Sequence, residues 1–221
     1  MKKYYEILKK CPLFDGISEG ELFTMLHCLG ARLVEFEKKF TVMAQGSVTK
    51  YIGVVLEGTV QAEQTDYYGN RSIVGTAVSS QVFAEEFACA GVSGLPVNII
   101  AQTNASVMFI DCEHILHTCK NNCAFHSRLI YNLMRVLARK NVAFHQRIEV
   151  TSKRTTREKL LAFLMLCAEN AGSYSFDIPY DRQQLADYLE VDRSGLSNEI
   201  SKLRDEGVLE SRKNHFKLLQ H

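Results

Sequence analysis

Small hydrogen-bonding side chains are concentrated near the carboxyl end of the chain, on one face of a predicted helix. The helix is predicted over Arg193–Glu206, with Leu196, Ile200 and Leu203 on its buried face. The opposite face carries Arg, Ser and Asn side chains: Arg193, Ser194, Ser197, Asn198 and Ser201. Such side chains read base edges in a DNA major groove, where Arg is best matched to guanine. A helix face of this kind predicts a DNA reader, and the alternative is a module that binds protein through an ordinary solvated face.

A second group of residues has metal-ligating chemistry. Cys119, Cys123 and His126 stand at positions i, i+4 and i+7, which would place them on one face of a helix. Cys and His are ligands for zinc and haem, so a redox, metal or haem sensor is kept as an alternative. The competing interpretation is that the cysteines are small interface residues and the histidine is a polar residue at a helix start. An iron–sulfur cluster needs about four thiolates, and the amino-terminal segment offers only Cys11 and Cys28.

Enzyme chemistry is not expected. A β-roll can host a metal-dependent oxygenase, but this needs two histidines and a carboxylate inside the barrel. The sequence contains no histidine between Ala31 and Asp111, the segment in which the strands are predicted.

The overall charge gives no argument for a nucleic-acid partner. The 221 residues have a net charge of +1, and from Lys153 onward 11 Lys and Arg balance 11 Asp and Glu. A DNA-binding prediction therefore depends on where the charges lie.

No apolar run approaches the roughly 20 residues of a membrane span, and no signal peptide follows Met1. We expect a cytoplasmic protein without a membrane partner, in which most of the seven scattered cysteines are buried apolar residues rather than disulfides.

The sequence around the polar helix predicts a winged helix-turn-helix. Asp181 and Gln184 form a capping-box pair at the start of a helix over Arg182–Leu189, and a short turn ending at Asp192 leads into the second helix. Gly207 ends that helix, and two short strands follow as a hairpin wing. Four further residues are expected to contact phosphates from the first helix and the wing: Arg182, Gln183, Arg212 and Lys213.

The preceding sequence predicts a β-rich domain and a long helix. Short β-branched and aromatic runs separated by turns extend from Ala31 to Asp111, including hairpin-type turns at Glu57-Gly58 and Tyr68-Gly69-Asn70. A helix of near 30 residues follows over 121–150 and is expected to pair with a second copy of the chain. Its predicted dimerisation residues repeat at spacings of three and four: Phe125, Leu129, Leu133 and Val136. A basic break at Lys153–Arg157 is the predicted hinge.

We therefore predict an α+β protein: an antiparallel, cupin-like β-roll (jelly roll) sensor domain, a long dimerisation helix and a winged helix-turn-helix. The predicted boundaries are 1–120, 121–150 and 151–221. This order, together with RQQLADYL at Arg182–Leu189 and DRSGLSN at Asp192–Asn198, closely resembles the CRP/FNR family of bacterial transcription regulators over nearly the whole chain.

The resemblance implies a homodimer that binds a palindromic double-stranded DNA site. RNA polymerase would be a further partner if the protein is an activator. Arg193 falls on the family's base-contacting arginine, and Ser194 and Asn198 fall on its other two base-reading positions. Those two residue types depart from the cyclic-AMP-dependent member of the family, so a different target sequence is expected. Arg182 and Gln183 match the phosphate-contacting start of the first motif helix.

The resemblance also places an effector pocket in the β-roll. Phe83–Phe87 (FAEEF) resembles the phosphate-binding cassette, and Glu86 falls on the ribose-binding glutamate. Glu85 stands where the family has glycine, which adds a negative charge where a cyclic phosphate would sit.

The remaining positions of the implied pocket lack the groups that bind cyclic AMP. The family's phosphate-binding Arg-Ser pair falls on Leu95 and Pro96, which supply neither a charge nor, at proline, an N–H. The positions that bond adenine fall near Val142 and Ala143, which have no hydrogen-bonding side chains. We therefore expect an effector other than cyclic AMP, or none, that reorients the winged helices.

Overall fold

Residues 2–65, 67, 71–116 and 124–219 are described by a computed structural model of the chain. They form two units, Met1–Arg139 and Lys140–His221. Each unit has its own hydrophobic core.

Among the described residues of the first unit, eight strands form two antiparallel four-stranded sheets, ordered β1-β8-β3-β6 and β2-β7-β4-β5. The strands are β1 (Arg32–Phe36), β2 (Thr41–Met43), β3 (Tyr51–Glu57), β4 (Thr59–Thr65), β5 (Arg71–Val78), β6 (Val82–Phe83), β7 (Asn98–Ala101) and β8 (Ala105–Asp111). The predicted antiparallel roll is confirmed. The turn at Glu57-Gly58 is not a hairpin, however, because it carries the chain from one sheet to the other. The hairpin pairs β4 with β5, and its predicted turn at Tyr68–Asn70 lies outside the described residues.

Strand β3 shows why the sheets share one unit. Ile52, Val54 and Leu56 point toward a core formed with the helices of this unit, whereas Val55 belongs to the core between the two sheets. Successive side chains of a strand point to opposite faces. A strand covered on both faces therefore has a nearly continuous apolar sequence rather than an alternating one.

Five α-helices begin in the described part of the first unit: α1 (Tyr5–Leu8), α2 (Glu19–Cys28), α3 (Glu85–Ala90), α4 (Cys112–Leu116) and α5 (Ala124–Thr151). Short 3-10 helices lie at Lys2–Tyr4 and Pro12–Phe14. Helix α5 is the predicted long helix, and the first three residues of the prediction, 121–123, lie outside the described residues. The buried Asn132 anchors it, because its Nδ2 donates to the carbonyl oxygens of Leu13 at 3.0 Å and Asp15 at 2.8 Å.

The second unit has the order of a winged helix. Its elements after α5 are α6 (Thr156–Ala171), β9 (Ser175–Asp177), α7 (Arg182–Leu189), α8 (Arg193–Asp205), β10 (Leu209–Arg212) and β11 (His215–Leu218). The three strands pair in the order β10-β11-β9. The predicted break at Lys153–Arg157 is shorter than expected, because Thr155 and Glu158 form a capping box that starts α6 at Thr156. In the part of the chain that is described, no helix has the length and apolar character that crossing a bilayer requires.

Candidate nucleic-acid interface

The amino-terminal end of α8 is fixed by its own cap. Asp192 accepts a hydrogen bond from the backbone N–H of Gly195 at 2.8 Å, and the Ser194 hydroxyl donates to the same carboxylate. The hydrogen bond from Ser194, followed by that from Gly195, holds the pKa of Asp192 below its usual value. Ser194 therefore contributes to the cap at the position where a base-reading side chain is expected.

The face of α8 opposite the core carries the predicted base-reading residues. Leu196, Ile200 and Leu203 are buried, as expected. Arg193, Ser194, Asn198 and Ser201 are exposed and Ser197 is half-buried. The hydroxyl of Ser201 donates to the carbonyl of Ser197 at 3.2 Å. Arg193 and Asn198 are the longer polar side chains in the amino-terminal half of this face.

Arg204 is a cationic residue of this face that sequence reasoning missed. It is exposed and lies eleven positions after Arg193, which at 3.6 residues per turn is about three turns further along the same side of α8. The helical spacing was the available signal. Its positive charge contributes to lowering the pKa of Arg182, so the two guanidinium groups are close enough to repel.

Arg182 connects the start of α7 to the wing. Its guanidinium stacks over the Phe216 ring at 5.5 Å and donates to the carbonyl of Lys213 at 3.3 Å. Partial burial, and then the charge of Arg204, lower its pKa. A half-buried cation beside another cation is stabilised by a neighbouring anion, so this corner suits a DNA phosphate.

The other predicted phosphate contacts lie at the same end of α7 and at the wing turn. Gln183 is exposed, and its amide donates to Asp187 at 2.8 Å. Arg212 ends β10 and Lys213 has a φ of 55° in the turn, and both side chains are exposed. The turn consists of Lys213 and Asn214, between β10 and β11.

Arg157, in α6, forms ion pairs with two glutamates at the carboxyl-terminal half of α8. Its guanidinium makes a bidentate pair with Glu206, with N–O distances of 2.9 and 2.5 Å, and lies 3.5 Å from Glu199. Lys159 donates to the carbonyls of Leu189 at 3.1 Å and Glu190 at 3.4 Å. Sequence reasoning assigned this region only as a basic break, but here it links α6 to both helices of the motif.

Two family models match the chain. One, described as a cyclic nucleotide-binding domain, matches residues 33–122, and the other, a Crp-like helix-turn-helix domain, matches residues 158–221. The chain therefore has the two domains of a CRP/FNR-type DNA-binding transcription regulator.

Solved structures share the fold across nearly the whole chain. A CooA mutant from Carboxydothermus hydrogenoformans is 15% identical, with a TM-score of 0.64, and the match covers 98% of this chain and 91% of that one. The c-di-GMP-responsive regulator CLP from Xanthomonas campestris is 14% identical, with a TM-score of 0.60 and coverage of 90% and 100%. The catabolite activator protein of Thermus thermophilus is 18% identical, with a TM-score of 0.51 and coverage of 94% and 93%. No curated protein sequence matches significantly.

The segment that resembles the phosphate-binding cassette runs from the end of β6 into α3. Ala84 precedes the helix with a φ of 61°, and Glu85 is fully buried at its first position. Glu86 is half-buried. A fully buried Glu85 side chain contributes to the interior of the domain rather than to an open pocket surface.

The other predicted pocket residues are placed as follows. Leu95 is buried in the core, and its N–H donates to the carbonyl of Ser47 at 2.9 Å. Pro96 is exposed. Val142 and Ala143 are exposed on the part of α5 that belongs to the second unit. The Leu95 amide is therefore already used within the fold.

Of the weak metal candidates, only His126 is described. Its Nε2 lies 3.0 Å from the carbonyl oxygen of His114 and 3.1 Å from that of Ile115, and the side chain is buried. This nitrogen acts as a donor that ties α5 to α4. Cys119 and Cys123 lie outside the described residues. Within the described ranges, no three His, Cys, Asp or Glu side chains form a group that could hold a metal ion.

The predicted dimerisation residues lie on the side of α5 that contacts the first unit. Leu129 and Leu133 are buried in the core of that unit, Phe125 packs against it, and Val136 is half-buried. The exposed large apolar side chains of α5 are different ones: Tyr131 and Met134 in the first unit, and Val142, Phe144 and Ile148 in the second.

Acid is expected to loosen both ends of α8. Folding lowers the pKa of Asp192 through its cap, and that of Glu206 through the hydrogen bond from Arg157. A lowered folded-state pKa contributes stability above the unfolded value, about 3.9 for Asp and 4.3 for Glu, that is lost as the pH falls through the folded value. The protection factors of α8 amides, which are corrected for the slower chemical exchange in acid, should therefore fall between pH 5 and pH 3. The fall should be smaller in Asp192→Asn and in Arg157→Met, and equal falls in all three proteins would contradict this.

Proposed function

We propose that the protein is a sequence-specific transcription regulator that binds a two-fold symmetric DNA site as a homodimer. The observation that carries the proposal is the exposed face of α8, on which Arg193 and Asn198 occupy the amino-terminal half. In a helix-turn-helix this half contacts base edges in the major groove. Arg182, Arg212 and Lys213 flank it as phosphate contacts.

The charge balance supports specific rather than indiscriminate binding. Residues from Lys153 onward carry 11 positive and 11 negative side chains. Phosphate attraction supplies most non-specific affinity for DNA, and a neutral module has little of it. Base contacts then have to provide a large share of the affinity.

The exposed apolar residues of α5 support the homodimer. Met134 is 64% exposed and Ile148 is 62% exposed, and large apolar side chains that are exposed along one helix mark an interaction surface. We propose that α5 pairs with its two-fold mate through Tyr131, Met134 and the exposed residues that follow, rather than through Leu129 and Leu133.

Met134→Lys is expected to weaken the dimer. It puts a charge at the proposed symmetry-related contact twice, once in each chain, and should raise the dimer dissociation constant at least about tenfold. Sedimentation equilibrium measures the constant. Val48→Lys is the matched control, because Val48 is 74% exposed and lies away from α5 in sequence, and it should leave the constant unchanged. A dimer that tolerates Met134→Lys would contradict this interface.

We further propose that the effector is not cyclic AMP. The buried Glu85 carboxyl, the apolar Leu95 and the N–H-free Pro96 stand where a cyclic phosphate needs donors and positive charge. Proteins of this fold are described with different ligands. CLP is described as c-di-GMP-responsive, and CprK, another solved structure of this fold, was solved in complex with OCPA. The fold alone therefore leaves the ligand open.

Selection from a random duplex DNA pool tests the proposed function. The full-length protein should enrich a two-fold symmetric sequence whose half-sites are about 10 bp apart, one helical turn. Footprinting should then protect both half-sites. Failure to enrich any sequence at moderate salt would overturn the proposal, and an asymmetric single half-site would overturn the dimer.

A further inference from the structure

Two cysteines from separate elements of the first unit meet beside the cassette. The Sγ of Cys89, on α3, lies 3.2 Å from the Sγ of Cys112, the first residue of α4, although 23 positions separate them. A disulfide has an S–S distance of about 2.05 Å. The two sulfurs would therefore have to approach by only about 1 Å to form one.

The pair has one reachable member. Cys89 is half-buried, whereas Cys112 is 2% exposed. A small oxidant or reductant can reach the pair from the Cys89 side. Cys11 and Cys28, by contrast, are a buried and an exposed thiol that have no such sulfur contact in the described structure.

A hydrogen bond between the two thiols and four nearby carboxylates set the protonation of the pair. The negative charges of Glu85 and Glu86 act on Cys89, and those of Asp111 and Glu113 act on Cys112. The hydrogen bond between the thiols raises the pKa of Cys89 and lowers that of Cys112, because the Cys89 S–H stabilises a Cys112 thiolate. One thiolate can thus form within the pair, while both the dithiol and the disulfide are uncharged.

We propose that Cys89 and Cys112 form a redox-active dithiol that closes to an intramolecular disulfide, and that this modification is an input to the regulator. The second part depends on the proposed function. The oxidant class is a small peroxide, and the reductant class is a dithiol.

The reaction balances with hydrogen peroxide as the oxidant. One sulfur, as its thiolate, attacks the O–O bond, which breaks to leave a sulfenic acid and a hydroxide that takes up the released proton as water. The second thiol attacks the sulfenic sulfur, the S–O bond breaks, and a second water leaves. Two thiols and one peroxide thus give one disulfide and two waters. A dithiol reverses the process by exchange and becomes a disulfide itself.

The bond would join two elements that matter for the proposed sensing. Helix α3 contains the cassette residues Glu85 and Glu86, and α4 is tied to the start of α5 by the His126 contacts described above. A covalent link between α3 and α4 restricts how these elements can move relative to each other. Oxidation should therefore change the equilibrium between the conformations of the first unit.

The first experiment maps the disulfide without reference to DNA. Reduced full-length protein is treated with hydrogen peroxide, alkylated and digested on both sides of the pair. The chain has no Lys or Arg between Cys89 and Cys112, so trypsin leaves them on one peptide. Cleavage after Glu86, before Asp111 and after Glu113 instead gives peptides 87–110 and 111–113, each with a single cysteine. We expect these two peptides joined, two hydrogens lighter than their sum, and separated again by dithiothreitol.

Matched variants identify the sulfurs. Cys28→Ser should form the linked peptides as the wild type does, whereas Cys89→Ser should not and should leave Cys112 alkylated. If the wild type shows no link between these peptides, or if peroxide takes Cys89 to the sulfinic acid without a link, the dithiol proposal is overturned.

The second experiment measures affinity for the DNA site selected as described above. Reduced and oxidised wild type should differ at least about fivefold in Kd, the lower end of allosteric coupling, and Cys89→Ser should show one Kd in both conditions. If the link forms but the two affinities agree, the input role fails while the proposed function stands. If neither form selects DNA, the proposed function fails, and the peptide map still decides whether the dithiol site exists.

Discussion

Arg193→Ala is expected to remove most of the discrimination between the selected site and random DNA. A bidentate contact between Arg and guanine contributes about 1–3 kcal/mol of discrimination against the wrong base, so the specific Kd should rise by about 5- to 150-fold. Arg193 is exposed at the first position of α8. Its removal should therefore leave folding intact, and the melting temperature serves as the check.

The matched comparison is Arg212→Ala, at the end of the wing strand β10. Losing a phosphate contact weakens binding to all sequences about equally and reduces the slope of log K against log salt by about 1. Arg193→Ala should reduce affinity for the selected site far more than for random DNA. If the two variants lose affinity in the same pattern, Arg193 is another phosphate contact and not a base reader.

The second unit was the most predictable part of the chain, because its signals are local. Asp181 and Gln184 form the predicted capping box, α7 has the predicted bounds, and Asp192 caps α8. Each depends on residues within four positions of one another, so composition and spacing contain the information.

The long helix shows the limit of such reasoning. The stripe at Phe125, Leu129 and Leu133 correctly predicts a helix with a covered face, but it does not say what covers it. In the structure that cover is the core of the same chain. The residues left exposed, such as Tyr131 and Met134, do not stand out in the sequence, because their exposure depends on how α5 is rotated against the first unit.

Contacts between distant residues were not predictable at all. The sequence interpretation treated Cys89 and Cys112 as separate small apolar residues and Arg157 as part of a basic break. Their partners are 23 and 49 positions away. Only the folded sheets and helices bring such side chains together, and no local pattern encodes the pairing.

Gly58→Ala is expected to destabilise the first unit by about 2–5 kcal/mol. Gly58 has a φ of +80°, and a Cβ there would lie 2.2 Å from the backbone oxygen of Asn104 and 2.7 Å from Oγ1 of Thr103. The oxygen of Asn104 belongs to the backbone, so no rotamer change removes the clash. The same Thr103 hydroxyl accepts a hydrogen bond from the N–H of Thr59 at 3.0 Å, which means that relaxing the clash also disturbs the start of β4.

Gly75→Ala separates this effect from the general cost of losing a glycine. Gly75 lies in β5 and is exposed, and a Cβ there meets no atom within 4 Å. The free energy of unfolding of Gly75→Ala should therefore stay within about 0.5 kcal/mol of the wild type.

Hydrogen exchange read by mass spectrometry measures the two units separately. Gly58→Ala should speed exchange in β3 and β8 while α8 keeps its wild-type rates, provided that the units unfold independently. Because β3 and β4 belong to different sheets, this turn is where the chain passes from one sheet to the other. If β3 exchanges at the wild-type rate in Gly58→Ala, the turn can shift at little cost. The close packing of Gly58 against Asn104 then does not fix the place where the chain passes from one sheet to the other.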